Sequence, residues 1–294
     1  MNKTNISIDS SIYEWLAQAQ NTKKFGTKKY DLVLENLTPF NEKYSSSKSD
    51  VLVVGGGNCE QELSIISRLG LQNVNLFAVD HVKPTIQEKA PINKIHWIPG
   101  AFEKELVSSY SIKADILMCL GTSRLFHNAL EIYEDMFEAM NPGALIIVDF
   151  YEIPPLRRSI TDFMRGWLKK EWSEDSSQAI KKLEELANIS MLLSEQLGDK
   201  QINLDMGVKE MGIDSGILGL QQLIYESIFP FWFRSGASIT EVAAQLAWLF
   251  LCESNDYSLS KIENLARTNT ITIEKILNLN RDTHILVGRT PYSD

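Results

Sequence analysis

The chain has 294 residues, 44% of them apolar and 23% charged, the balance of a soluble globular protein with one large domain or one domain carrying a sizeable insertion. Lys plus Arg number 29 against 38 Asp plus Glu, a formal charge of −9, which argues against a nucleic-acid partner because that affinity depends on cationic surface. Cys59, Cys119 and Cys252 show no CxxC or metal-ligand spacing, so free thiols in a reducing compartment and no bound metal are expected.

Residues 9–20 have Ile12, Trp15, Leu16 and Ala19 on one face of a predicted helix. A second short helix is predicted over Tyr30 to Leu37, before Pro39, and the polar run from Asn41 to Ser49 reads as a linker. Residues 1–49 are therefore expected to form a helical cap and linker. Val51-Leu52-Val53-Val54 then reads as a buried strand, followed by Gly55-Gly56-Gly57. Bare glycines permit a tight turn and let backbone approach a ligand closely. From Glu60, Leu63, Ile66 and Leu69 fall at helical spacing, and Gly70 sits where a helix ends. A second strand, Val74 to Val79, ends on Asp80. Strand, glycine turn, helix, strand and acid is the layout of a nucleotide-type site, with the acid placed to accept from ribose hydroxyls. A glycine turn alone is equally explained by close helix–strand packing.

A third strand is predicted around Lys94 to Ile98 and a short helix around Glu103 to Tyr110. The fourth strand, Ala114 to Leu120, closes on Gly121; a helix follows over Phe126 to Met140. Asn141-Pro142-Gly143 signals a turn before a fifth strand, Ala144 to Phe150, apolar except for Asp149. Continuous apolar strands alternating with helices predict a parallel sheet covered on both faces.

Residues 155–256 break the alternation. Helices are predicted over Arg157–Lys169, Glu174–Leu197 and Ile217–Phe229, and Ser238-Ile239-Thr240-Glu241 is a capping box opening a fourth. No strand is expected there, and Gly198 to Gly216 reads as a loop. Ser258 to Arg267 is a short predicted helix. Thr270–Leu279 and Thr283–Arg289 are strands whose short connection makes them antiparallel. Val242 to Leu251, the most apolar helix candidate, is too short to span a bilayer, and the N-terminal residues carry no apolar signal core. A cytoplasmic location without a membrane partner is expected.

This combination resembles the class I S-adenosylmethionine-dependent methyltransferases. The residues that carry the resemblance are Val53-Val54-Gly55-Gly56-Gly57-Asn58-Cys59, Asp80-His81, Ala101-Phe102, Leu120-Gly121-Thr122-Ser123 and Met140-Asn141-Pro142-Gly143. Val53 stands where the family carries an acid and Cys59 where it carries a third glycine. The resemblance implies a seven-stranded Rossmann-like α/β sheet, five parallel strands plus a terminal antiparallel hairpin. That domain would be built from 50–154 and 257–294, with 155–256 as a helical insertion acting as a lid and substrate domain. It implies S-adenosyl-L-methionine as cofactor. Gly55, Gly56 and Gly57 would form the turn and Asp80 with His81 would hold the ribose. Ala101 and Phe102 would meet adenine, and Leu120, Gly121 and Thr122 would lie by the methionine part. Asn58 or Glu60 would replace the missing acid at the amino end.

The function so implied is transfer, most simply of a methyl group, to a small molecule. Two further chemistries remain open: cyclisation of the cofactor's aminobutyrate arm or aminopropyl-type transfer, each releasing methylthioadenosine. A non-catalytic cofactor-binding module also remains open. The run Val51 to Gly57 is similar to that of the polyamine aminopropyltransferases, but Met118-Cys119-Leu120-Gly121 lacks their acidic motif.

Candidate catalytic residues are His127, as a base or as a helix cap, and Tyr151 and Glu152 after the fifth strand. His96 and His284 read as structural. The aromatic stretch Tyr225 to Arg234 offers Tyr225, Phe229, Trp232 and Arg234 as acceptor-pocket residues, against the plainer reading that the aromatics form the insertion's own core. Arg234, a charge in an apolar stretch, requires an anionic partner, from the substrate or from a protein acid such as Glu226.

Overall fold

The computed structural model describes residues 15, 33, 35, 48–81, 83–84, 92–123, 126, 129–152, 155–198, 200–207, 215–220, 223–224, 238–251, 258–278 and 283–292. In chain order the elements are β1 (Lys48–Val54), α1 (Glu60–Arg68), β2 (Asn73–Asp80), β3 (Ile92–Pro99), α2 (Lys104–Ser109), β4 (Ala114–Cys119), α3 (Ala129–Glu138) and β5 (Met140–Tyr151). They continue with α4 (Pro155–Glu174), α5 (Ser176–Leu197), β6 (Gln201–Leu204), β7 (Gly216–Gly219), α6 (Ile239–Leu251), α7 (Leu259–Thr268), β8 (Thr272–Asn278) and β9 (Thr283–Arg289). Two units result, Met1–Lys23 with Ile153–Glu253, and Lys24–Glu152 with Ser254–Asp294.

In the second unit the sheet runs β3-β2-β1-β4-β5-β9-β8. β1 to β5 are mutually parallel, while β9 is antiparallel to both β5 and β8. This is the seven-stranded Rossmann-like sheet that the resemblance implies. Its apolar runs are explained by burial on both faces. Leu52 and Val54 of β1 enter one hydrophobic cluster with Leu117, Cys119, Ile146, Val148 and Phe150. The alternate residues Val51 and Val53 enter another with Ile116, Met118, Leu145, Ile147, Ile65 and Ile66. Fully burying each Val, Leu or Ile side chain contributes about 1.5–3 kcal/mol. His96 stacks on Phe77 and His284 on Phe150, at 4.7 and 5.1 Å between ring centroids, consistent with structural roles.

Some details differ from the sequence reading. β1 begins at Lys48, inside the stretch read as linker, because Lys48 to Asp50 pair with Asn73 to Asn75 of β2. Asn141-Pro142-Gly143 lies within the opening of β5, where the pairing with β4 shifts register and Gly143 takes φ +74°. Of the two predicted N-terminal helices only Trp15, Val33 and Glu35 are described, all helical; the remainder lies outside the described residues.

In the other unit α4, α5 and α6 share a core of Leu168, Trp172, Leu183, Ala187, Val242, Leu246 and Phe250, with Trp15 packed against it. Asp175 caps α5, its carboxylate accepting from the N–H groups of Ser177 and Gln178. The expected capping box opens α6: Ser238 N–H donates to Glu241 at 2.7 Å and Glu241 N–H to Ser238 Oγ at 3.2 Å. The expectation of no strand here is corrected. β6 and β7 form an antiparallel pair, with Ile202 opposite Leu218. Four-residue strands are too short to show a period against their Gly- and Asp-rich surroundings. β7 also takes the start of the helix expected from Ile217, and most of that helix lies outside the described residues. No described helix is long and apolar enough to cross a membrane.

Candidate active site

The strand order reverses between β1 and β4, and ligands of open α/β sheets bind beyond the carboxyl ends of the strands at such a reversal. Three pieces of chain leave the sheet there: the turn after β1, the end of β2, and the loop after β4.

The three glycines of the turn have different reasons to be glycine. A Cβ on Gly55 would overlap Thr122, with side-chain atoms 2.2–2.5 Å away. A Cβ on Gly56 would lie 2.5 Å from Val53 Cγ1 and 3.0 Å from Cys59 Sγ. A side chain at either position would collide with the chain itself. Among the described residues, a Cβ on Gly57 would meet nothing within 4 Å, and the residue holds φ +52°. Gly57 is therefore bare toward open space, and so are Gly100 after β3 and Gly121 after β4. Cys59, where the resemblance calls for glycine, keeps the left-handed backbone at φ 55°, which explains the usual residue.

Asp80 is joined to this turn. Gly57 N–H donates to its Oδ2 at 2.7 Å, and Gly55 N–H to the Val79 carbonyl at 2.9 Å. The Asp80 carbonyl accepts from Trp97 Nε1 at 3.0 Å and from Gly100 N–H at 3.2 Å. On the other side of the reversal, Thr122 Oγ1 donates to the Gly55 carbonyl at 2.7 Å. The loop carrying Thr122 is fixed by Asp149 of β5, which is fully buried. Asp149 accepts from Gly121 N–H at 2.5 Å, from Ser123 Oγ at 2.8 Å and from Tyr151 Oη at 3.1 Å. The Tyr133 hydroxyl donates to the Asp149 carbonyl. Burial pushes the Tyr133 phenol well above its ordinary range, with Cys119 and Asp149 adding to the effect, so it stays a donor. A line of hydrogen bonds thus runs from β5 to β2 across the ends of four neighbouring strands.

The other candidates divide as follows. His81 and Ala101 are exposed, whereas Phe102 and Leu120 belong to the hydrophobic clusters. Asn58 and Glu60 are exposed, and Glu152 is half-buried. Tyr151 is buried, with its hydroxyl on Asp149. His127, Tyr225, Phe229, Trp232 and Arg234 lie outside the described residues. Two acids went unselected in the sequence: Asp149, whose signal is a lone carboxylate in an apolar strand, and Glu62, an acid on the apolar face of α1.

The arrangement fits an adenosine-bearing cofactor: a carboxylate at the end of β2 tied to a turn whose outer face has no side chain, and bare glycines at the ends of β3 and β4. No family model and no curated protein matches the chain. Solved structures do. A 1,6-didemethyltoxoflavin N1-methyltransferase from Burkholderia thailandensis, with 1,6-didemethyltoxoflavin and S-adenosylhomocysteine bound, is similar at 9% identity over 96% of this chain and 86% of that one, TM-score 0.46. Human N-acetylserotonin methyltransferase in complex with S-adenosylmethionine is similar at 11% identity over 96% of this chain and 57% of that one, TM-score 0.47. An O-methyltransferase family protein from Burkholderia thailandensis is similar at 8% identity over 97% and 70%, TM-score 0.39. At such identities these similarities say nothing about what this chain acts on.

Proposed function

We propose that the protein is an S-adenosylmethionine-dependent methyltransferase acting on a small molecule. The observation that carries the reading is the bond from Gly57 N–H to Asp80 Oδ2 at 2.7 Å. It makes the glycine turn and the acid at the end of β2 a single device at the sheet's reversal. Bound there, the cofactor would supply a methyl group on a sulfonium, open to in-line displacement by an acceptor.

The chain's own residues bind and orient. Asp80 accepts from the ribose hydroxyls. Gly57 allows backbone to approach the nucleoside closely. Gly121 and Thr122, held by Asp149, border the amino-acid arm. Alignment of the two reactants is the main demand of such a displacement, and oriented reactants gain about 7–11 kcal/mol in favourable cases. Tyr225, Phe229, Trp232 and Arg234, within 155–256, are the candidates for contacting the acceptor. His127 and Glu152 are the candidates for removing a proton from the acceptor. Tyr151 joins them only by releasing Asp149.

The test is incubation of the purified protein with S-adenosylmethionine and a small-molecule extract, with the nucleoside product read by mass spectrometry. S-Adenosylhomocysteine formed only with extract present supports the proposal. Methylthioadenosine in its place indicates cyclisation or aminopropyl-type transfer. Tight nucleoside binding without either product indicates a binding module.

A further inference from the structure

The resemblance leaves one end of the cofactor without a partner, because Val53 stands where an acid would face its amino group. The two substitutes read from the sequence, Asn58 and Glu60, are both exposed. Glu62 is not: it is 2% exposed. It lies three and four residues before Ile65 and Ile66, on the helix face that enters the core. A Cβ built on Gly56 would be 3.5 Å from Glu62 Cδ and 2.5 Å from Val53 Cγ1. The Glu62 carboxyl group therefore lies close to Gly56, in the glycine turn that follows Val53 and Val54. Its field reaches both sides of the sheet's reversal, since it helps raise the thiol pKa of Cys59 after β1 and of Cys119 at the end of β4.

We infer that Glu62 supplies, from α1, the negative charge that β1 lacks at Val53, and that its carboxylate receives the ammonium group of the cofactor's amino-acid arm. Glu62 is then the residue that separates ligands carrying this arm from plain adenosine nucleosides. The inference rests on the S-adenosylmethionine reading and names the residue that reads one end of that ligand. A purely structural Glu62, bracing the turn, would affect every nucleoside alike.

Calorimetric titration separates these roles. Wild type and Glu62→Gln are each titrated with S-adenosylhomocysteine, with its analogue lacking the amino group, and with methylthioadenosine, which lacks the whole arm. For wild type we expect the deaminated analogue to bind at least tenfold more weakly than S-adenosylhomocysteine. In Glu62→Gln that preference should vanish while methylthioadenosine affinity stays within twofold. The melting temperature of Glu62→Gln is read alongside, and a variant that remains folded makes the three affinities comparable with those of wild type. An equal loss for all three ligands, or an unchanged preference for the amino group, overturns the inference and leaves the cofactor reading standing. Should Glu62→Gln not fold, the wild-type titrations still decide, since no preference for the amino group overturns it. A wild-type protein that binds none of the three overturns the cofactor reading and this inference together.

Discussion

Gly57 is the point at which ligand binding and folding separate most cleanly. A Cβ there meets nothing within 4 Å among the described residues, so Gly57→Asn overlaps none of them. Its backbone sits at φ +52°, a left-handed conformation that asparagine adopts at less than the roughly 1–2 kcal/mol charged to other L-residues. For a domain of this size each kcal/mol moves the melting temperature by about 2–4 °C, so the variant should melt within about 4 °C of wild type. The N–H that holds Asp80 is retained. The new side chain does enter the space assigned to the nucleoside, and overpacking costs about 1–3 kcal/mol. Affinity for S-adenosylhomocysteine should then fall by about 5- to 150-fold. The companion variant, Gly56→Ala, has the opposite signature. Its methyl would lie 2.5 Å from Val53 Cγ1 and 3.0 Å from Cys59 Sγ, so the first loss is in the melt. Calorimetry gives the affinities and scanning melts the stabilities. A folded Gly57→Asn that binds S-adenosylhomocysteine as wild type does would refute the reasoning, because the bare side of the turn would then face only water.

Asp80→Ala removes a charged acceptor worth about 1.5–3 kcal/mol to the ribose hydroxyls, so calorimetry should show affinity lowered by about 10- to 150-fold in a protein that remains folded. Asp149→Asn places an amide N–H₂ among the donors Gly121 N–H, Ser123 Oγ and Tyr151 Oη. Each buried group left unsatisfied costs about 1–3 kcal/mol, so urea unfolding should show a midpoint lowered accordingly. Cys59 and Cys119 are buried, and burial together with nearby carboxylates pushes both thiols upward. Iodoacetamide at pH 8, followed by peptide mapping, should leave both unmodified until the protein is unfolded.

The sheet was legible in the sequence because its strands are buried on both faces. Val51 to Val54, Ala114 to Leu120 and Ala144 to Phe150 leave no polar alternation to mislead, and the glycine turn with Asp80 marks the ligand edge. The capping box at Ser238 was legible for a local reason: both of its bonds span three residues. The roles of individual glycines were not legible, since they depend on neighbours distant in sequence. Gly55 must be bare because of Thr122, 67 residues later. Asp149 and Glu62 were passed over for a related reason. Each is a single acid inside an apolar pattern, and its neighbours, Gly121 and Ser123 for one and Gly56 for the other, are set by the fold rather than by nearby sequence. β6 and β7 escaped notice because two four-residue strands are specified by pairing with each other rather than by any period of their own.

The hydrogen bonds across the strand ends explain how one site can be assembled from two halves of the sheet. Asp149 holds Gly121, Thr122 holds the Gly55 carbonyl, and Gly57 holds Asp80. The strands involved, β5, β4, β1 and β2, are consecutive in the sheet. The Asp80 end and the Gly121 end are therefore linked through these bonds. In the displacement proposed above, the same linkage would help hold the transferred group in line with the acceptor. The Thr122 hydroxyl extends the pairing of β1 with β4 to the loops beyond their ends. Disturbance of Asp149 in β5 should accordingly weaken nucleoside binding at Asp80, three strands away, through this line rather than through any contact with the nucleoside itself.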